Sequence, residues 1–131
     1  MSSIENIVNP KDIDVSVETE YLVTQSAPED NQFAFAYHIT ITNNSSYGVV
    51  LLHRHWIIID ANEKRQEVKG AGVIGEQPLI PAHAQFKYSS GTVLNTPIGT
   101  MQGSYQMVDE FGVALDVPIA PFLLALPNQV H

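Results

Sequence analysis

An all-β fold is what this chain predicts: an immunoglobulin-like or fibronectin type III-like β-sandwich of about seven antiparallel strands. Three observations carry that expectation. Apolar residues recur with a period of two, and no run repeats at helical spacing. Clusters of Asn, Asp, Gly and Pro punctuate the chain at short intervals. No cysteine is present among 131 residues, so two facing apolar sheets, not disulfides, must hold the fold. A small barrel is the alternative architecture.

The elements follow in order. Ile13, Val15 and Val17 alternate with Asp14, Ser16 and Glu18, the pattern of a strand with one buried face. Phe33, Phe35, Tyr37, Ile39 and Ile41 give the cleanest alternation, ended by the turn formers Asn43–Gly48. Val49–Ile59 is apolar on both faces and reads as a central strand. Asp60–Glu63 turns the chain into Arg65–Lys69. From Gly70 to His83, three glycines and two prolines predict a long loop or crossover. Gln85–Ser90 alternates again, with Phe86 and Tyr88 on one side. Met101, Gly103, Tyr105 and Met107 share the next inner face. After a hairpin loop at Asp109–Gly112, Val113, Leu115, Val117 and Ile119 form the last strand. Pro118 and Pro121 place its far end at a sheet edge, since proline lacks the ladder donor. Leu123–His131 reads as a tail. A single domain over 1–131 is expected, with a core at 13–126 and flexible ends at 1–12 and 127–131.

Charge narrows the function classes. Fourteen acidic residues against six basic ones give a formal net charge of −8. That predicts no nucleic-acid and no anionic membrane partner, because both require a basic footprint. Seven carboxylates fall in the first 30 positions, from Glu5 to Asp30, and read as a solvated edge that resists aggregation. The other options are a docking face for a basic partner and a cation site. With no leader-like apolar run at Met1–Lys11, a cytoplasmic location is the expectation.

Gly70, Gly72 and Gly75 have the GxGxxG spacing of a dinucleotide loop. That loop works by opening a helix whose N-terminus holds a pyrophosphate. Here Glu76-Gln77-Pro78 follows. Pro78 removes a donor and biases Gln77 toward extended backbone, so no helix is expected. The glycines then serve positive φ or close backbone approach, and a backbone nest for an anion is the other option. In His53-Arg54-His55-Trp56, a strand puts both histidines on one face and Arg54 and Trp56 on the other. Two histidines at that spacing can ligate a metal if His38, His83, Asp60 or Glu76 joins them. The simpler reading makes Trp56 a core anchor and His55 a hydrogen-bonded histidine, with no metal site. Ser89-Ser90-Gly91 reads as turn residues before a loop. No GxSxG or HExxH motif is present, and no catalytic residues or cofactor are assigned.

Taken together, Tyr21–Ser26, Phe35-x-Tyr37-x-Ile39-x-Ile41-x-Asn43, Arg54-His55-Trp56, Gly70-x-Gly72-Val73-Ile74-Gly75-Glu76-Gln77-Pro78, Tyr88–Gly91, Thr96–Tyr105 and Pro118–Phe122 resemble the ApaG (CorD) family. The resemblance spans about Ile13 to Phe122. It implies a fibronectin type III-like sandwich without established catalysis, linked to cobalt and magnesium tolerance, with related domains acting as interaction modules in eukaryotic proteins. By position, the family pattern covers Arg54, His55, Trp56, Gly70, Gly72, Gly75, Glu76, Gln77 and Pro78, while His53 lies outside it. The expected function is a non-enzymatic interaction module with an unidentified protein partner or a second copy of the chain. The alternative is a binder of a nucleotide, pyrophosphate or divalent cation through the Gly70–Pro78 loop, using backbone amides near Gly70–Gly75 helped by Arg54 or Lys69. The candidate binding residues overall are Arg54, His55, Gly70, Gly72, Gly75, Glu76 and Gln77. A nucleotide hydrolase ranks last.

Overall fold

The computed structural model describes residues 8–127; of the predicted flexible ends, 1–7 and 128–131 lie outside the described residues. Eight strands form: β1 Ile13–Tyr21, β2 Phe33–Asn43, β3 Val49–Asp60, β4 Arg65–Ala71, β5 Leu79–Ile80, β6 Gln85–Leu94, β7 Ile98–Asp109 and β8 Ala114–Ala125. One sheet has the order β1-β2-β6; the other runs β4-β3-β7-β8, with β5 extending the β4 edge of β3. All pairs are antiparallel. The architecture is the expected β-sandwich. Its eighth strand is the two-residue β5, inside a segment the glycines and prolines had marked as loop.

β5 is held by a buried polar hub. Asn43, fully buried, donates from Nδ2 to the carbonyls of Tyr47, Ile80 and Pro81 at 2.8, 3.0 and 3.2 Å. Its Oδ1 accepts from the backbone N–H and hydroxyl of Ser45. A residue that composition marks as a turn former therefore ties the β2–β3 turn to β5, adding a second donor to the Tyr47 and Pro81 carbonyls, which also accept from Ser45 Oγ and the Ala84 N–H.

Two bulges explain where the alternation misled. Leu52 is an extra residue in β3: Leu51 pairs with Met107 and His53 with Gln106. Before it, Val49 and Leu51 point inward; after it, Arg54, Trp56 and Ile58 do. The run that looked apolar on both faces is one inner face whose phase switches. A second bulge, at Ala120–Pro121 in β8, lets the edge strand absorb Pro121 and continue to Ala125. Leu124 is consequently fully buried, and the predicted tail begins too early. At the other end the core starts before Ile13. Val8 is buried, its N–H donating to Asp109 Oδ2, and Pro10–Asp12 forms a 3-10 turn capped by Asn9.

Trp56 anchors the core as expected. Its ring meets Tyr37, Phe122 and Tyr105 edge-on, with centroids 5.5, 5.9 and 6.1 Å away. The sheets differ in width. β1 packs on β8, and its inner row Ile13, Val15, Val17 and Tyr21 is buried or half-buried. At the opposite edge β4 overhangs. Its inner row is Gln66, Val68 and Gly70, cross-strand from Ile58, Trp56 and Arg54. Gln66 and Val68 are exposed.

Candidate binding site at the overhanging edge

The three glycines do three different jobs, and none opens a helix. At Gly70 a Cβ would lie 2.7 Å from Arg54 Nη1 and 2.9 Å from Cζ, so the missing side chain leaves room for the guanidinium. At Gly72, φ is +60° and a Cβ would fall 1.9 Å from the Glu76 carbonyl oxygen. Gly75 completes a two-residue turn. Val73 and Glu76 exchange backbone hydrogen bonds at 2.8 and 2.9 Å, and Ile74 and Gly75 between them have φ of 44° and 79°. That is the type I′ hairpin turn, which favours glycine or asparagine at both central positions. A β-branched residue there is strained.

The turn is braced against the β3 bulge. Gly72 N–H donates to the Leu52 carbonyl at 2.7 Å, and Gln77 Nε2 donates to the same oxygen at 2.9 Å. Leu51 N–H donates to Pro78 O at 3.0 Å. Val73 is fully buried beneath. The amides of Gly72, Val73 and Glu76 are all engaged inside the protein. The Glu76 side chain is exposed.

Arg54 lies on the inner face of β3 but leaves it across Gly70. Nη1 donates to the carbonyls of Ala71 and Gly72 at 3.1 and 3.0 Å. Nε and Nη2 have no hydrogen-bond partner, and no carboxylate pairs with the group, among the described residues. The half-buried guanidinium borders a recess of about 170 Å³ lined also by Tyr37, Tyr88, Ser90 and the Val73–Gly75 turn. The hydroxyl of Tyr88, which lines the recess, hydrogen-bonds that of buried Tyr105. Burial pushes both phenols well above the usual tyrosine value. A second recess of about 110 Å³ sits further along the same side, between Ile58, Lys64 and Gln66 on one hand and Val93–Asn95 on the other.

His53 and His55 lie on the outer face of β3, cross-strand from Gln106 and Ser104. His55 Nε2 meets Glu67 Oε2 at 2.5 Å. That hydrogen bond, more than nearby Lys69, holds the Glu67 carboxyl below the ordinary glutamate range. Of the partners weighed for a metal, none joins the pair: no group of three or more His, Cys, Asp or Glu side chains is placed to hold an ion among the described residues.

Register created one cluster that sequence reasoning missed. Ser89, Ser90 and Gly91 are inside β6, not in a turn. His38 on β2 pairs with Ser89, Nδ1 to Oγ at 2.6 Å, and with Glu20 on β1, Nε2 to Oε1 at 3.1 Å. A carboxylate only accepts, so Nε2 carries a proton. The row is exposed on the outer face of the three-stranded sheet, away from the Arg54 recess. Its positions are 18 and 51 residues apart, and only the cross-strand pairing brings them together.

No helix among the described residues is long and apolar enough to cross a membrane. Comparison with known proteins agrees with the motif resemblance. A family model describing the ApaG domain matches residues 23–109. The protein named ApaG from Pseudomonas fluorescens is 56% identical over 119 residues, covering 91% of this chain and 94% of its own. The ApaG protein from Bordetella pertussis is 49% identical over 131 residues and covers both chains completely. An X-ray structure of a structural-genomics target superposes with a TM-score of 0.88 at 50% identity, covering 93% of this chain and 92% of that one. A crystal structure described as an ApaA protein from Bordetella pertussis gives 0.86 at 50% identity, with 88% and 94% covered. On this evidence the chain belongs to the ApaG family.

Proposed function

We propose that the protein is a non-enzymatic interaction module whose contact face is the Gly70–Pro81 segment with the neighbouring strands. The observation that carries this reading is Ile74. The turn is braced by several hydrogen bonds and by buried Val73, yet its tip displays a β-branched side chain, 54% exposed, at positive φ. Such strain costs roughly 1–2 kcal/mol and is retained where it serves a contact. A link to cobalt and magnesium tolerance would run through the partner, because no third protein ligand joins His53 and His55 among the described residues.

The test is affinity capture from cell extract with the wild type and Ile74→Gly, with and without divalent cations. Glycine relaxes the turn, so the variant is expected to be more stable by about 1 kcal/mol and to lose the partner. Retention of every partner by the variant contradicts the proposal. Calorimetry with millimolar pyrophosphate and magnesium checks the small-ligand alternative. Little heat is expected, because the amides of Gly72, Val73 and Glu76 are already engaged.

A further inference from the structure

A four-strand sheet on a three-strand one is the ordinary constant-type immunoglobulin arrangement. Here β6 is the last strand of the narrower sheet, and its Val93 and Leu94 share only a small recess with Gln66 of β4. The position beside β6 is where a strand added to that sheet would lie.

The four sheet edges are not protected alike. β1 carries Asp14, Glu18 and Glu20; β4 carries Arg65, Glu67 and Lys69; β8 carries Asp116, Pro118 and Pro121 with a bulge. Charges, prolines and bulges are the usual means of preventing strand addition. β6 runs ten residues with Lys87 as its single charge and no proline. It is the edge least guarded against pairing.

What would face an added strand is also defined. Val68 offers an apolar spot, and Arg54 offers unpaired guanidinium donors beside the Ser90 and Tyr88 side chains. Leaving a half-buried cation without an anion is costly, and among the described residues no carboxylate pairs with it. Five of the six Lys and Arg residues (Arg54, Lys64, Arg65, Lys69 and Lys87) lie on β3, β4, β6 or the turn before β4, interspersed there with Asp60, Glu63 and Glu67.

We infer that β6 accepts an extended segment of a protein partner as an added strand, with an inward-facing Asp or Glu carboxylate of that segment on Arg54 and an apolar side chain on Val68. This is strand addition: main-chain hydrogen bonds give affinity and alternate side chains give specificity. It rests on the interaction-module reading and names the partner's chemistry.

The test is a ¹⁵N NMR titration of the full chain with the capped peptide acetyl-Thr-Val-Thr-Glu-Thr-Val-Thr-amide and with its Glu→Gln counterpart. The Glu peptide is expected to shift β6 amides together with Gly72 and Gly75. The Gln peptide should bind about tenfold weaker, as for a lost charged contact. Arg54→Met should abolish that difference; the peptide pair decides the question on the wild type if this variant misfolds. Four results overturn the inference: equal binding of both peptides, no shift at millimolar peptide, shifts centred on β1, or inorganic phosphate reproducing the Gly72–Gly75 shifts without β6 being involved. Concentration-dependent β6 shifts in protein alone would assign the edge to a second copy and overturn it as well. If the peptide fails while Ile74→Gly still loses its captured partner, the interaction module stands with a different contact.

Discussion

β1 and β4 are both edge strands of one sandwich, and they have opposite fates. Ile13, Val15, Val17 and Tyr21 of the β1 inner row are buried or half-buried, and β1 packs on β8; the β4 inner row is Gln66, Val68 and Gly70, and its two side chains stay exposed. Three of the four outward residues of β1 are carboxylates, Asp14, Glu18 and Glu20, whereas β4 carries Arg65, Glu67 and Lys69 outward. One side of the molecule is completed by its own chain and the other is not. Stability and recognition are therefore housed on different sides, and substitutions should separate them.

The largest effect lies in the shared core. Trp56→Ala should destabilise by roughly 4 kcal/mol, read by circular dichroism in urea, because the change removes the only tryptophan. A loss under about 1 kcal/mol would mean that the aromatic cluster is not the anchor. Alkaline pH comes next. Tyr88 and Tyr105 have folded pKa values raised above the unfolded one, so their contribution is complete below about pH 10 and lost as pH rises beyond it. With two phenols, stability should fall by up to about 2.7 kcal/mol per pH unit there. Phe at both positions should flatten that slope.

The direct comparison of the two edges is smaller. Val17→Ala, on the packed inner row, should cost about 1 kcal/mol, and Val68→Ala, on the ledge, less than about 0.5. Equal costs would contradict the overhang. Smallest is Glu67. Its folded pKa is depressed, so its contribution is present at neutral pH and lost as pH falls through the acid range. A carboxyl NMR titration should place Glu67 below an ordinary glutamate, and His55→Ala should return it.

Regions where one face is buried throughout were legible from sequence. Phe33–Ile41 alternates because β2 lies inside its sheet, and every inward residue there meets the core. Legibility stopped where partners set the phase. Leu52 and Ala120–Pro121 are bulges, and only the neighbouring strand reveals that one residue is extra. β5 depends on the Asn43 carboxamide 37 residues away, and the Glu20–His38–Ser89 row depends on register. For the candidate site, Pro78 correctly argued against a helix, and Arg54 shares the Trp56 face. The pattern gave no sign that Gly70 leaves space for the Arg54 guanidinium, or that Gln77 is committed to Leu52.

The central claim is that the β4–β6 side recognises and the β1–β8 side supports. A photo-crosslinking residue placed at Val68 and, separately, at Glu18 of the intact protein in living cells tests it most directly. Both positions are exposed on edge strands. The account predicts a discrete adduct with a partner from position 68 and none from position 18. Adducts from position 18 alone, or equally from both, would contradict it.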